Sequence, residues 1–113
     1  MDVKTCMEKG YLKAIEPDEE LVKKEMSEAN YDFKGAEKAI AEKDFKWAIV
    51  KSYYAMFHAA RAILFKLGLR EKRHFAIVVA LEELNRLGKL ESKYVNDFND
   101  AVTIHDISLS RVS

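Results

Sequence analysis

Little in this chain cross-links or punctuates it. A single cysteine, Cys6, among 113 residues excludes an intrachain disulfide and a cysteine-based zinc site. One proline and four glycines leave few turns for a many-stranded sheet. Net charge is also missing, since 19 basic side chains balance 19 acidic ones, which argues against generic high-affinity nucleic-acid binding. No glycine-rich phosphate loop occurs, so a nucleotide hydrolase is disfavoured. The opening MDVKTCMEKG lacks the apolar core of a signal peptide. The longest apolar run is broken by His58 and Arg61 and is slightly short for a membrane span, so a cytoplasmic protein without a membrane partner is expected.

What remains is material for helices. Hydrophobic residues make up 49% and charged residues 34%, so the chain is globular, with length for one domain over residues 1–113 and one core. Alanine, leucine, glutamate and lysine dominate. Charge is uneven along it. Residues 1–43 hold 8 basic and 11 acidic groups (−3), residues 44–88 hold 8 and 4 (+4), and residues 89–113 hold 3 and 4 (−1).

The run Lys51 to Leu67, KSYYAMFHAARAILFKL, is apolar nearly all the way round a helix. Such a helix has to be the central element that the others cover. It carries Tyr53, Tyr54, His58 and Arg61, which are costly to bury unpaired. Either they form a polar network in a core, or they line a dimer cleft or ligand pocket.

Around this rod the spacing predicts three further amphipathic helices and a short leading helix over 6–15. A helix starting near Pro17 should bury Val22, Met26, Ala29, Phe33, Ala36 and Ile40, at steps of 4 and 3. Gly35 inside it permits a close helix contact. Asp44 can cap the central helix, Phe45 to Leu67, and Gly68 can end it in a left-handed turn. The short link predicts an antiparallel hairpin. After a basic loop, Arg70, Lys72, Arg73 and His74, come a third helix over about His74–Leu87 and a fourth from Glu91 or Ser92, whose end after Val102 is open. The expected fold is all-α, an antiparallel up-and-down bundle of four to five helices.

The stretch Ser52 to Leu64, SYYAMFHAARAIL, with Lys66-Leu67-Gly68, the leading MEKGYLKAIEPDEEL and the junction AEKAIAEKDFKWAIVKSYYA resemble the HEPN domain family over roughly residues 6–90. The resemblance implies a helical bundle paired as a homodimer, often encoded beside a minimal nucleotidyltransferase in toxin–antitoxin or defence systems. Many such proteins are metal-independent RNases with an arginine, then four to six intervening residues, then a histidine. That motif is absent here. The positions that would serve His58 hold Lys51, Ser52 and Tyr53, those for His74 hold Leu67, Gly68 and Leu69, and those for His105 hold Phe98, Asn99 and Asp100. The expectation is therefore an interaction module acting with a nucleotidyltransferase, without metal or cofactor. The alternatives are a ribonuclease with a non-standard site, or a nucleotide binder.

Either alternative would draw on Lys51, His58 and Arg61. His58 and Arg61 meet over one helical turn, where histidine exchanges protons and arginine grips phosphate. A purely structural reading instead pairs Arg61 with a first-helix carboxylate such as Glu37. The basic loop at Arg70, Lys72, Arg73 and His74 could touch RNA phosphates or be a solvated helix end. His105-Asp106 and Cys6 lack the neighbours that a metal site or a nucleophile needs.

Overall fold

A computed structural model of the chain describes residues 1–110. The side chains of residues 102 and 105–110 lie outside that description, and the pair His105-Asp106 with them. In chain order the elements are α1 (Val3–Glu8), β1 (Leu12–Ala14), α2 (Glu19–Ala41), α3 (Phe45–Lys66), β2 (Leu69–Glu71), α4 (Phe75–Arg86) and α5 (Ser92–Ser110). The fold is all-α, a bundle of five helices with one two-stranded ribbon. No helix is long and apolar enough to cross a membrane among the described residues.

Local chemistry sets the helix ends. Asp18 caps α2 by accepting from the backbone N–H of Glu20 and Leu21, at 2.9 and 3.3 Å. Pro17 therefore lies just ahead of the cap rather than in the first turn. Asp44 caps α3 by accepting from Trp47 N–H at 3.2 Å, as its position predicts. Helix α5 runs to Ser110, so the segment after Val102 is helix as far as that residue.

The leader departs from expectation. Residues 6–15 are not one helix, because Gly10, at φ 74°, turns the chain after α1. The following residues instead pair with the segment after α3. β1 and β2 are antiparallel, with Leu12 opposite Glu71, Lys13 opposite Arg70 and Ala14 opposite Leu69. Arg70 and Glu71 at the start of the expected basic loop are thus strand, and their backbone pairs with the leader. Gly68 makes this possible twice over. Its φ is 76°, and a Cβ there would stand 2.9 Å from the Ile15 carbonyl oxygen, whose own N–H donates to Gly68 O at 2.8 Å.

Helix α3 is central, as its composition demands. On one side Tyr53, Phe57, Ala60 and Leu64 meet Ile77, Ala80 and Leu81 of α4 and Val95 and Phe98 of α5, closed off by Cys6 and Leu12. On the other side it packs antiparallel to α2. There the expected seam is wrong by a partial turn. The buried residues of α2 are Glu25, Ala29, Asp32, Ala36 and Ala39, while Met26, Phe33 and Ile40 are exposed. The cause is the facing surface of α3. It presents Ala48, Ala55 and Ala62 together with Lys51, His58 and Arg61, and half-buried cations and a half-buried imidazole require carboxylates rather than Met or Phe opposite them. Gly35 meets the stem of Lys51, with its missing Cβ only 3.3 Å from Lys51 Cδ, so the close contact there is real.

Candidate functional site

The polar groups of α3 come together as one ladder of alternating charge. Lys51 Nζ lies 3.2 Å from Asp32 Oδ1. His58 Nε2 is 3.7 Å from the other oxygen of Asp32. His58 Nδ1 is 2.5 Å from Glu25 Oε2. Arg61 Nη1 is 3.6 Å from Glu25 Oε1. Arg61 then forks onto Glu71, with Nε 3.1 and 3.2 Å from the two oxygens and Nη2 at 3.1 Å. Its guanidinium also lies 4.4 Å from the centroid of the Phe57 ring.

The register of the hairpin builds this ladder. Glu25 and Asp32 are seven apart on α2, Lys51 and His58 seven apart on α3, and two turns of helix bring each pair onto one face. In an antiparallel pair, residue 32 opposite 51 implies 25 opposite 58. The same register puts Glu37 near residue 46, a full helical turn from the ladder. Arg61 therefore pairs with Glu25 and Glu71 and not with Glu37.

The candidates do not form one cleft. Lys51, His58 and Arg61 join the ladder. Tyr53 is 7% exposed inside the core, packed on Phe57, while Tyr54 is 43% exposed with its ring edge-on to Tyr53 at 5.2 Å. The basic loop scatters its side chains. Arg70 lies 5.9 Å from the Phe65 ring and Arg73 5.9 Å from the Tyr11 ring. His74 packs against Phe57, with centroids 4.8 Å apart, and Lys72 donates its backbone N–H to Tyr11 O at 2.7 Å. Between these basic positions, Glu71 turns inward to Arg61.

Cys6 is fully buried, and burial pushes its thiol pKa up, away from nucleophile chemistry. No three His, Cys, Asp or Glu side chains converge as a metal-binding group among the described residues.

Three features escaped the sequence reading. The anionic half of the ladder, Glu25, Asp32 and Glu71, is one. The matching spacing of seven on both helices was the available signal for two of these, whereas Glu71 depends on a strand that no periodicity announces. A second is an apolar groove between α2 and α3, lined by Met26, Ala29, Phe33, Ala55, Met56 and Ala59. It continues through Met56 and Ala59 into a second groove beside Ile63, Leu81, Tyr94 and Phe98. The third is an open cleft near the α2–α3 turn, where Tyr31 and Trp47 flank Lys51.

No curated protein matches the chain, and no solved structure does. The family model of the HEPN domain matches residues 22–108, which takes in α3, β2 and α4 and nearly all of α2 and α5. With that span the chain belongs to the HEPN domain family, as a helical module of the nucleotide-binding or RNase type.

Proposed function

We propose that this HEPN domain is an assembly module that pairs with a second copy of itself through the α2–α3 groove and acts beside a nucleotidyltransferase partner in a toxin–antitoxin or defence system. One observation carries the self-pairing. Met26 and Phe33, 50% and 56% exposed, stand in a seam of coiled-coil spacing beside the small Ala55 and Ala59. Large knobs and alanine holes on one surface suit a two-fold interface, in which each copy's knobs enter the other's holes. Exposed apolar residues in continuous array mark contact surfaces. The nucleotidyltransferase partner and the system it serves rest on the likeness of the α3 signature to that branch of the family.

The ribonuclease alternative draws less support. It needs Lys51, His58 or Arg61 free to meet RNA, and each is held by a carboxylate of α2 or β2.

Analytical ultracentrifugation tests the pairing. The native chain should sediment as a dimer at micromolar concentration, and Phe33→Glu should give a monomer with unchanged helical circular dichroism. A native monomer at that concentration would remove the self-pairing. Co-purification with the product of the adjacent gene should yield a stable complex with a nucleotidyltransferase, and a solitary gene or no complex would remove that partner.

A further inference from the structure

Two exposed features at opposite ends of α2 match each other in chemistry. The first is the cleft near the α2–α3 turn, of about 560 Å³, which shares no lining residue with the α2–α3 groove. Tyr31, Lys34, Lys38, Glu42, Trp47 and Lys51 line it. Its rings are open, with Tyr31 70% and Trp47 51% exposed. Both approach one ammonium, since Lys51 Nζ is 5.1 Å from the Tyr31 centroid and 5.3 Å from the Trp47 centroid. Lys51 is itself tied to Asp32 and lies over Gly35, so its stem forms a floor between the rings.

Two further cations border these rings. Lys34 and Lys38 are one turn apart on α2, where like charges repel. Neither has a carboxylate within ion-pair distance among the described residues. With Lys51 assigned to Asp32, these two ammonium groups face one lining carboxylate, Glu42, and the cleft keeps a surplus of positive charge. A matching occupant brings carboxylates for the lysines and a flat apolar group for the rings.

The second feature carries that combination. The run Glu16-Pro17-Asp18-Glu19-Glu20 holds four carboxylates, no basic group and the only proline of the chain, and all five residues are exposed. Asp18 is committed to capping α2. Glu16, Glu19 and Glu20 have no cation within ion-pair distance among the described residues. Pro17 rests against Gly68, where a Cβ would lie 3.4 Å from its Cγ, and is otherwise open to solvent. Aromatic-lined grooves take proline readily, because its ring is apolar and its backbone is already fixed in an extended form.

Within one molecule the two features cannot meet. Glu20 and Lys34 are 14 residues apart on one continuous helix, about 21 Å along its axis. Between two molecules nothing holds them apart, and a formal net charge of zero brings no general repulsion. We propose that the cleft of one copy takes residues 16–20 of another, with Pro17 against Trp47 and Tyr31, and Glu19 and Glu20 on Lys34 and Lys38. Each copy then offers one plug and one socket at different places, so the contact runs head to tail. It goes beyond the two-fold pairing through the groove and joins such pairs into larger assemblies.

Trp47 is the only tryptophan of the chain, so its fluorescence reports on this cleft alone. Every arm of the test uses the full chain with Met26→Glu, a residue that lines the groove and not the cleft, so the outcome is independent of two-fold pairing. A capped peptide of residues 15–21 should change the Trp47 emission saturably, and added salt should weaken it. The peptide with Glu19→Gln and Glu20→Gln should bind about tenfold more weakly, and Pro17→Ala should weaken it by a smaller factor. In sedimentation at submillimolar concentration the chain should associate beyond the monomer. Lys34→Gln with Lys38→Gln, or Glu19→Gln with Glu20→Gln, should return it to monomer. These positions are exposed, so circular dichroism should stay native. An equal mixture of those two variants should stop at one-to-one pairs, because each pair keeps only one intact plug and one intact socket. No saturable response to the peptide at millimolar concentration overturns the proposal. So does an equal response to a proline-free peptide of the same charge, or a mixture that does not pair.

Discussion

Helix α3 has two sides built on different physics. Towards α4 and α5 it offers Phe57, Ala60 and Leu64 to an apolar core that includes Ile77, Leu81 and Phe98. Towards α2 it offers alanines, the cations Lys51 and Arg61, and His58, met by alanines and two carboxylates. Hydrophobic burial has no direction and scales with area, so the first side supplies most of the free energy of folding. Charge pairs in partial burial largely offset their own desolvation, so the second side supplies less. What it does supply is position. Sliding α2 by one turn would set Glu25 and Asp32 beside alanines and leave Lys51 and His58 without anions. The difference teaches that stability and register reside on opposite faces of one helix.

The largest expected effect tests the apolar side. Leu64 is completely buried, and Leu64→Ala should cost about 3 kcal/mol, from lost transfer energy and the cavity left behind. Urea unfolding should show a lower midpoint with an unchanged slope. A loss below about 1 kcal/mol would mean that this side is loosely packed, and the contrast would fail.

A smaller effect tests the charged side. Arg61→Leu leaves Glu71 buried without its fork and takes one cation from Glu25. Because the guanidinium is partly exposed, the cost should be about 2 kcal/mol rather than the larger figure for a deeply buried pair. The double change Arg61→Leu with Glu71→Leu should recover most of that loss. Denaturation of the two single variants and the double variant gives the coupling directly. Simple addition of the two single losses would mean that Arg61 and Glu71 are not coupled, and the account of this side as a set of mutually dependent charge pairs would fail.

This contrast also explains what the sequence made legible. The central rod, its caps at Asp44 and Gly68 and the α2–α3 hairpin follow from patterns within one segment. The ribbon did not, since three-residue strands such as Leu12–Ala14 are too short for alternation to register, and each needs its partner to exist. The face of α2 was misread because Met26, Phe33 and Ile40 form a clean apolar stripe, and burial of that stripe is the ordinary rule. The cations of α3 overrode it. Met26 and Phe33 of the stripe left outside line the α2–α3 groove, so the failed expectation and the proposal of an assembly surface there have one origin. Tyr31 and Trp47 were illegible for a related reason: they are 16 residues apart, and only the hairpin brings their rings to one lysine.

The smallest effect concerns how tightly the apolar side is sealed, and Cys6 reports on it. Helix α1 holds this thiol against the core, and burial raises its pKa because the thiolate is poorly solvated there. As pH rises through the ordinary thiol range, near 8.5, the unfolded chain loses this proton first. The folded state then binds the extra proton, so stability falls with pH until the folded thiol also ionises. Cys6→Ala lacks this contribution. Between about pH 7.5 and 9.5, the native chain should lose more stability than Cys6→Ala, by a fraction of a kcal/mol, in urea melts at each pH. A thiol reagent should label the folded chain slowly, at the rate at which α1 opens. Parallel pH curves with fast labelling would mean that α1 is detached much of the time. The apolar side would then be open where it meets the leader, and the ribbon rather than α1 would be what holds the first fourteen residues to the bundle.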